Sequence, residues 1–127
     1  MPEVALKRAY EEASTADGQR ILVERLWPRG VSKEKAALDL WVKDIAPTTG
    51  LRQWYGHEPA KWPEFQRRYR RELTENPAAV AELRQKIKQG KVTLVYGAKD
   101  EKRNSAVVLK DYLENTPGQK TLKGKSP

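Results

Sequence analysis

Residues 21–30 read ILVERLWPRG, and this stretch decides the fold class. Ile21, Leu22 and Val23 form an apolar, β-rich run, and Pro28-Arg29-Gly30 closes it with turn chemistry. A strand is therefore expected over residues 21–27. Working outward, Val4, Leu6 and Tyr10 share one face of a second strand over residues 4–10, with Arg8 among them. Residues 92–96, VTLVY, are almost continuously apolar, the pattern of a strand covered on both faces. Between these strands lie helical patterns. Trp62, Phe65, Tyr69 and Leu73 recur at helical spacing, and Asn76-Pro77 restarts the chain into a stripe of Val80, Leu83 and Ile87. Thr48 or Thr49 caps a short helix ending near Tyr55, and Ser32 caps a helical turn over residues 33–37. Leu38, Leu40 and Val42 alternate like an edge strand, and this is preferred over the helical reading of Leu38, Trp41 and Ile45. A last helix carries Ala106, Val107, Leu109 and Leu113.

Strands at both ends with helices between them define a small α/β fold. Residues 1–114 are expected to form one domain, with three layers and a short, mostly parallel or mixed sheet flanked by helices. Residues 115–127, rich in Pro, Gly, Thr, Ser and Lys, are expected to be a disordered basic tail. The connection between the first two strands is short for a parallel crossover, so local physics favours an antiparallel hairpin there.

The 127-residue chain carries 25 Lys and Arg against 17 Asp and Glu, a net charge of +8. Such a balance attracts anions. Lys120, Lys123 and Lys125, however, lie in the tail, so the body is less basic than the total suggests. The absence of cysteine excludes disulfides and thiolate metal sites. With a single histidine, a zinc site is not expected either. MPEVALKRAYEE has no apolar core of a signal peptide, and no apolar run reaches membrane-spanning length. A cytoplasmic protein without a membrane partner is the expectation.

Chemistry gathers where strands hand over to loops. Glu24 and Arg25 are adjacent charges at the end of an otherwise apolar strand. They point to opposite faces, so each needs a separate partner. Arg29 offers a planar fork for carboxylate or phosphate, Gly30 lets backbone approach a ligand, and Lys33 adds charge. The other strand end, GAKDEKRN, supplies Lys99, Asp100 and Asn104. Ligands of open α/β sheets sit beyond the carboxyl ends of parallel strands. Neighbouring parallel strands would therefore bring Arg29 and Lys99 together. His57 lies in WYGHEP between Trp54, Tyr55 and Trp62. The expected site is one for an anionic small molecule, a nucleotide or phosphorylated metabolite. Arg25, Arg29 and Lys99 neutralise it, Asn104 orients it, and Trp27 or Trp54 packs against it. Glu24, His57 and Asp100 are the candidates for acid/base chemistry if the protein is an enzyme, which the sequence leaves open. No phosphate-binding glycine motif of the P-loop or dinucleotide type is present, and the sequence leaves the cofactor, if any, unknown. The alternatives are a nucleic-acid-binding module using RRYRR at residues 67–71 with the basic tail, and an adaptor docking a protein through tryptophans.

Three stretches carry a resemblance. Residues 17–41 (DGQRILVERLWPRGVSKEKAALDLW), 46–73 (APTTGLRQWYGHEPAKWPEFQRRYRREL) and 92–113 (VTLVYGAKDEKRNSAVVLKDYL) are similar, in order and spacing, to the YeaO-like branch of a bacterial family of unknown function. The resemblance spans residues 4–114. It implies a compact α/β domain, in the wider family with its first two strands parallel and joined by a helix that this chain lacks, and it supplies no activity. It also implies Asp where this chain has Glu24, and His where it has Arg103 and Ser105. If those histidines are catalytic in the family, their loss weakens an acid/base enzyme reading here and leaves anion binding less affected.

Overall fold

The structure is a computed structural model and describes residues 3–115. Four strands form one sheet: β1 (Val4–Arg8), β2 (Gln19–Leu22), β3 (Leu40–Trp41) and β4 (Val92–Tyr96). Their order is β1-β4-β2-β3, and every neighbouring pair is parallel. The helices are α1 (Lys33–Ala36), α2 (Thr49–Tyr55), α3 (Trp62–Thr74), α4 (Pro77–Lys88) and α5 (Ser105–Asn115). The tail expected to be disordered lies, from residue 116 on, outside the described residues. No helix among the described residues is long and apolar enough to cross a membrane.

The antiparallel hairpin expected between the first two strands does not form. β4 lies between them, pairing Leu94 with Leu6 on one side and with Ile21 on the other. The chain must therefore return from the end of β1 to the start of β2, about 17 Å for a five-residue strand. Residues 9–18 reach about 33 Å when extended, so no crossover helix is needed. A 3₁₀ turn, Thr15–Asp17, steers the return. Ser14 and Asp17 cap it reciprocally, each side chain accepting a backbone N–H of the other's end.

Alternation along the strands loads the two faces unequally. Ile21, Val23, Val92, Leu94 and Tyr96 join the large core under α2–α5, with Phe65, Tyr69 and Leu73 from α3. Leu22 and Val95 face a smaller cluster with Ala9, Val31 and Ala36, backed by Trp27, Leu38 and Trp41. β4 is buried along its whole length, as a central strand must be. On the far edge, only Leu40 and Trp41 of the expected alternating run are strand, and a 3₁₀ turn over Lys43–Ile45 follows.

β2 stops at Leu22, five residues short of the expected end. Val23 still donates to the Val95 carbonyl (3.1 Å) and Val42 to the Leu22 carbonyl (3.0 Å), after which residues 24–27 leave the sheet. The departure carries Glu24 and Arg25 beyond the carboxyl edge of the strands.

Candidate functional site

At that edge lies an open cleft of about 390 Å³. Its walls come from the segments following β1 (Tyr10), β2 (Glu24 to Leu26, Pro28 and Arg29) and β4 (Gly97, Ala98). Ala46, Pro47, Tyr55 and Phe65 give it an apolar side, and Arg52, His57, Asn104 and Ser105 complete it. Its size falls within the usual range of small-molecule sites, about 300–1,000 Å³.

Glu24 is the least conventional group there. Its Oε2 accepts the Gly97 N–H at 2.9 Å. Among the described residues its Oε1 takes no hydrogen bond, and no cation forms an ion pair with it. Burial pushes its carboxyl above the ordinary value. The Gly97 N–H and, through space, Arg52 and His57 oppose that rise without cancelling it. The sign for stability follows. A raised carboxyl holds its proton more tightly in the folded chain, so stability is highest below the ordinary value of 4.5 and declines as pH climbs through the folded value. Glu24→Gln keeps an acceptor for Gly97 and removes the buried charge. The variant is expected to melt higher than the parent near neutral pH, with the gap closing below the ordinary carboxyl range. Equal melting temperatures at neutral pH in a two-condition thermal scan would contradict this.

Arg25 finds different partners on the other side of the chain. Its Nε donates to the Pro47 carbonyl (3.1 Å) and an Nη to that of Ala46 (3.0 Å), with Asp44 3.9 Å away. Its guanidinium thus holds the loop before α2 and is occupied, although the residue borders the cleft. Arg29 and Arg52 are different. Both are exposed, both line the cleft, and neither guanidinium makes a hydrogen bond or ion pair with another described residue. The backbone of Arg29 is fixed, its carbonyl accepting the Tyr10 hydroxyl at 2.9 Å. His57 sits on the rim with a left-handed backbone, φ 59°, directly after the α2 cap Gly56.

Asn104 is buried and works as the cap of α5. Its Oδ1 accepts the Val107 N–H (3.0 Å) and its Nδ2 donates to the Asp100 carbonyl (2.8 Å). Asp100 closes the preceding turn and stands outside the cleft walls. Its carboxylate accepts the N–H groups of Lys102 and Arg103, which with the Arg103 guanidinium hold it below the usual carboxylate range. An acid kept ionised by three donors is a poor proton shuttle.

The remaining expected residues lie elsewhere. Trp27 turns to the opposite face of the sheet, donating to the Val31 carbonyl (2.6 Å) and meeting the Trp41 ring edge-on at 5.4 Å. Trp54 is partly buried against the main core and lies away from the cleft, between Lys61 and the Arg68 guanidinium, the latter 4.3 Å from its ring centre. Gly30 serves the turn, with φ 79°. Lys33 and Lys99 are exposed and line no part of the cleft. The convergence of Arg29 with Lys99 is thus replaced by one of Arg29 with Arg52.

Two polar contributors, Arg52 and Tyr10, are not among the expected site residues, and Ser105, expected only as a replacement for a family histidine, also lines the cleft. Arg52 had a usable signal. It falls three residues before Tyr55 on a capped helix, hence on a neighbouring face, whereas Trp54 lies about 100° around the helix from Tyr55. The RRYRR segment is largely committed. Tyr69 is buried with its hydroxyl on the Ile45 carbonyl (2.6 Å), Arg67 and Arg68 pair with Glu64, and Arg70 pairs with Asp111.

Together these features define a small parallel α/β domain whose cleft opens at the carboxyl ends of its strands, with free guanidinium groups beside an unpaired, half-buried carboxylate. The chain belongs to the family described as the inactive DUF488-N3 subclade, whose model matches residues 3–127. It is 42% identical over 110 residues to the uncharacterized protein Rv3073c of Mycobacterium tuberculosis, covering 87% of this chain and 92% of that one. It is 40% identical over 112 residues to the uncharacterized protein YeaO of Escherichia coli, covering 88% and 97%. No solved structure matches the chain.

Proposed function

We propose that this protein binds an anionic small molecule, a nucleotide or phosphorylated metabolite, in the cleft beyond β1, β2 and β4. The observation that carries this reading is the pair Arg29 and Arg52: two exposed guanidinium groups on one cleft, neither bonded to another described residue. Arginine is suited to planar, two-pronged recognition of phosphate or carboxylate. Binding without turnover is favoured. Asp100 is locked in a turn, Arg103 and Ser105 stand where the family resemblance implies histidines, and the family's own description is inactive.

The test is a thermal-shift screen of nucleotides, sugar phosphates and inorganic phosphate against the parent and the Arg29→Ala/Arg52→Ala double variant. A ligand at about 100 times its Kd stabilises by about 2.7 kcal/mol. For a domain of this size that raises the midpoint by roughly 3–6 °C. The shift is expected in the parent and absent in the double variant. A shift that survives loss of both arginines would remove this site assignment.

A further inference from the structure

The cleft holds one charge that an anion alone would leave worse off. Glu24 is half-buried, one of its oxygens is bonded to Gly97, and the other is not sealed from solvent, since Arg20 Nη2 is the sole fully enclosed side-chain polar atom without a partner among the described residues. The groups packed around it do not neutralise it. Tyr69, near enough to feel its charge, spends its hydroxyl on the Ile45 carbonyl, and Arg25 is held by backbone carbonyls. Arg52 and His57 act on it through space without forming an ion pair. A carboxylate drawn partly out of water is stabilised by a cation or charge-assisted donor at its free oxygen. A phosphate drawn in by Arg29 and Arg52 brings a second negative charge instead.

Building on the anion-binding reading above, we infer that the ligand is zwitterionic: an acidic group for Arg29 and Arg52, and a cationic nitrogen that donates to the free oxygen of Glu24. The ligand then supplies the counter-ion that the protein withholds. Selectivity follows, because a neutral hydroxyl at the same place gains little and a second acid is repelled.

Two probes of matched length separate these cases: phosphoethanolamine, which carries an ammonium, and 2-hydroxyethyl phosphate, which carries a hydroxyl. Titration calorimetry would compare them, with inorganic phosphate, on the full-length parent and on Glu24→Gln. The parent is expected to prefer phosphoethanolamine by about tenfold or more in Kd, as for hydrogen bonds to charged groups. In Glu24→Gln the preference is expected to vanish and 2-hydroxyethyl phosphate to bind more tightly than in the parent, a gain that simple damage to the cleft would not produce. Equal affinities in the parent, or a preference that survives in Glu24→Gln, would overturn the zwitterion inference while leaving the anion site standing. Absence of binding by all three probes would overturn both.

Discussion

Asp17→Ala is expected to cost about 3–5 kcal/mol, the range for removing one partner of a buried ion pair. Asp17 is 7% exposed and Arg20 is 3% exposed, on the side of the sheet that carries the smaller core. Arg20 Nη1 reaches Asp17 Oδ2 at 2.7 Å, and its Nε donates to the Ala36 carbonyl at 2.9 Å. Lys7 adds a second cation 3.0 Å from Asp17 Oδ1. Without Asp17 the buried guanidinium keeps its charge and loses its counter-ion, and its Nη2 is already without a partner. The same carboxylate caps the turn that returns the chain from β1 to β2, and its backbone carbonyl accepts the Thr93 hydroxyl at 2.7 Å. The cost is large against a total of about 5–15 kcal/mol for a typical domain. Denaturant titration checks it. A loss below about 1 kcal/mol would show that the pair contributes no more than an exposed one. The pH dependence has a defined sign. Burial pushes the Asp17 carboxyl up, but hydrogen bonds from Lys7, the Ser14 N–H and Arg20 outweigh it and leave the carboxyl below its ordinary 3.8. Its contribution is therefore complete above that value and disappears as pH falls through the folded one. Glu24 behaves in the opposite sense.

Leu94→Ala is expected to cost about 2–5 kcal/mol, the range for emptying a leucine site in a close-packed core. Leu94 sits at the middle of the central strand, fully buried, between Leu6 and Ile21. Its side chain belongs to the large core with Leu83 and Leu109. Flanking strands on both sides restrict collapse into the vacated space, which places the cost towards the upper part of the range. Leu26→Ala is the control. Leu26 is 61% exposed and should change stability by no more than about 0.5 kcal/mol. Equal losses for the two variants in denaturant titration would contradict the central placement of β4.

Much of this architecture is legible in the chain because burial writes periodicity. Residues 92–96 announce a two-faced strand, and Phe65, Tyr69 and Leu73 announce a helix against it. What sequence spacing does not encode is adjacency. Nothing local to residues 9–18 reveals that a strand some seventy residues further on will lie between their two ends. The short connection therefore points to a hairpin when neighbours alone are considered. The site shows the same division. Arg29 and Glu24 advertise themselves by charge beside an apolar strand, and both line the cleft. Lys99 and Trp27 have suitable chemistry at suitable strand ends, yet side-chain direction takes Trp27 to the other face and leaves Lys99 in solvent. Arg52 enters through the packing of α2 against α3, a relation between elements rather than within one.

The placement of β4 also sets an order of events during synthesis. β1 and β2 emerge early, but β1 has no partner strand until residues 92–96 have been made. Until then its apolar residues and open backbone edge are available to wrong partners, the usual hazard of long-range parallel pairing. The closing strand joins the first strand to the second, and the cleft walls after β1, β2 and β4 depend on that junction. A chain ending before residue 92 would keep only the β2–β3 pairing and would lack both the strand that links β1 to β2 and the cleft wall that follows it.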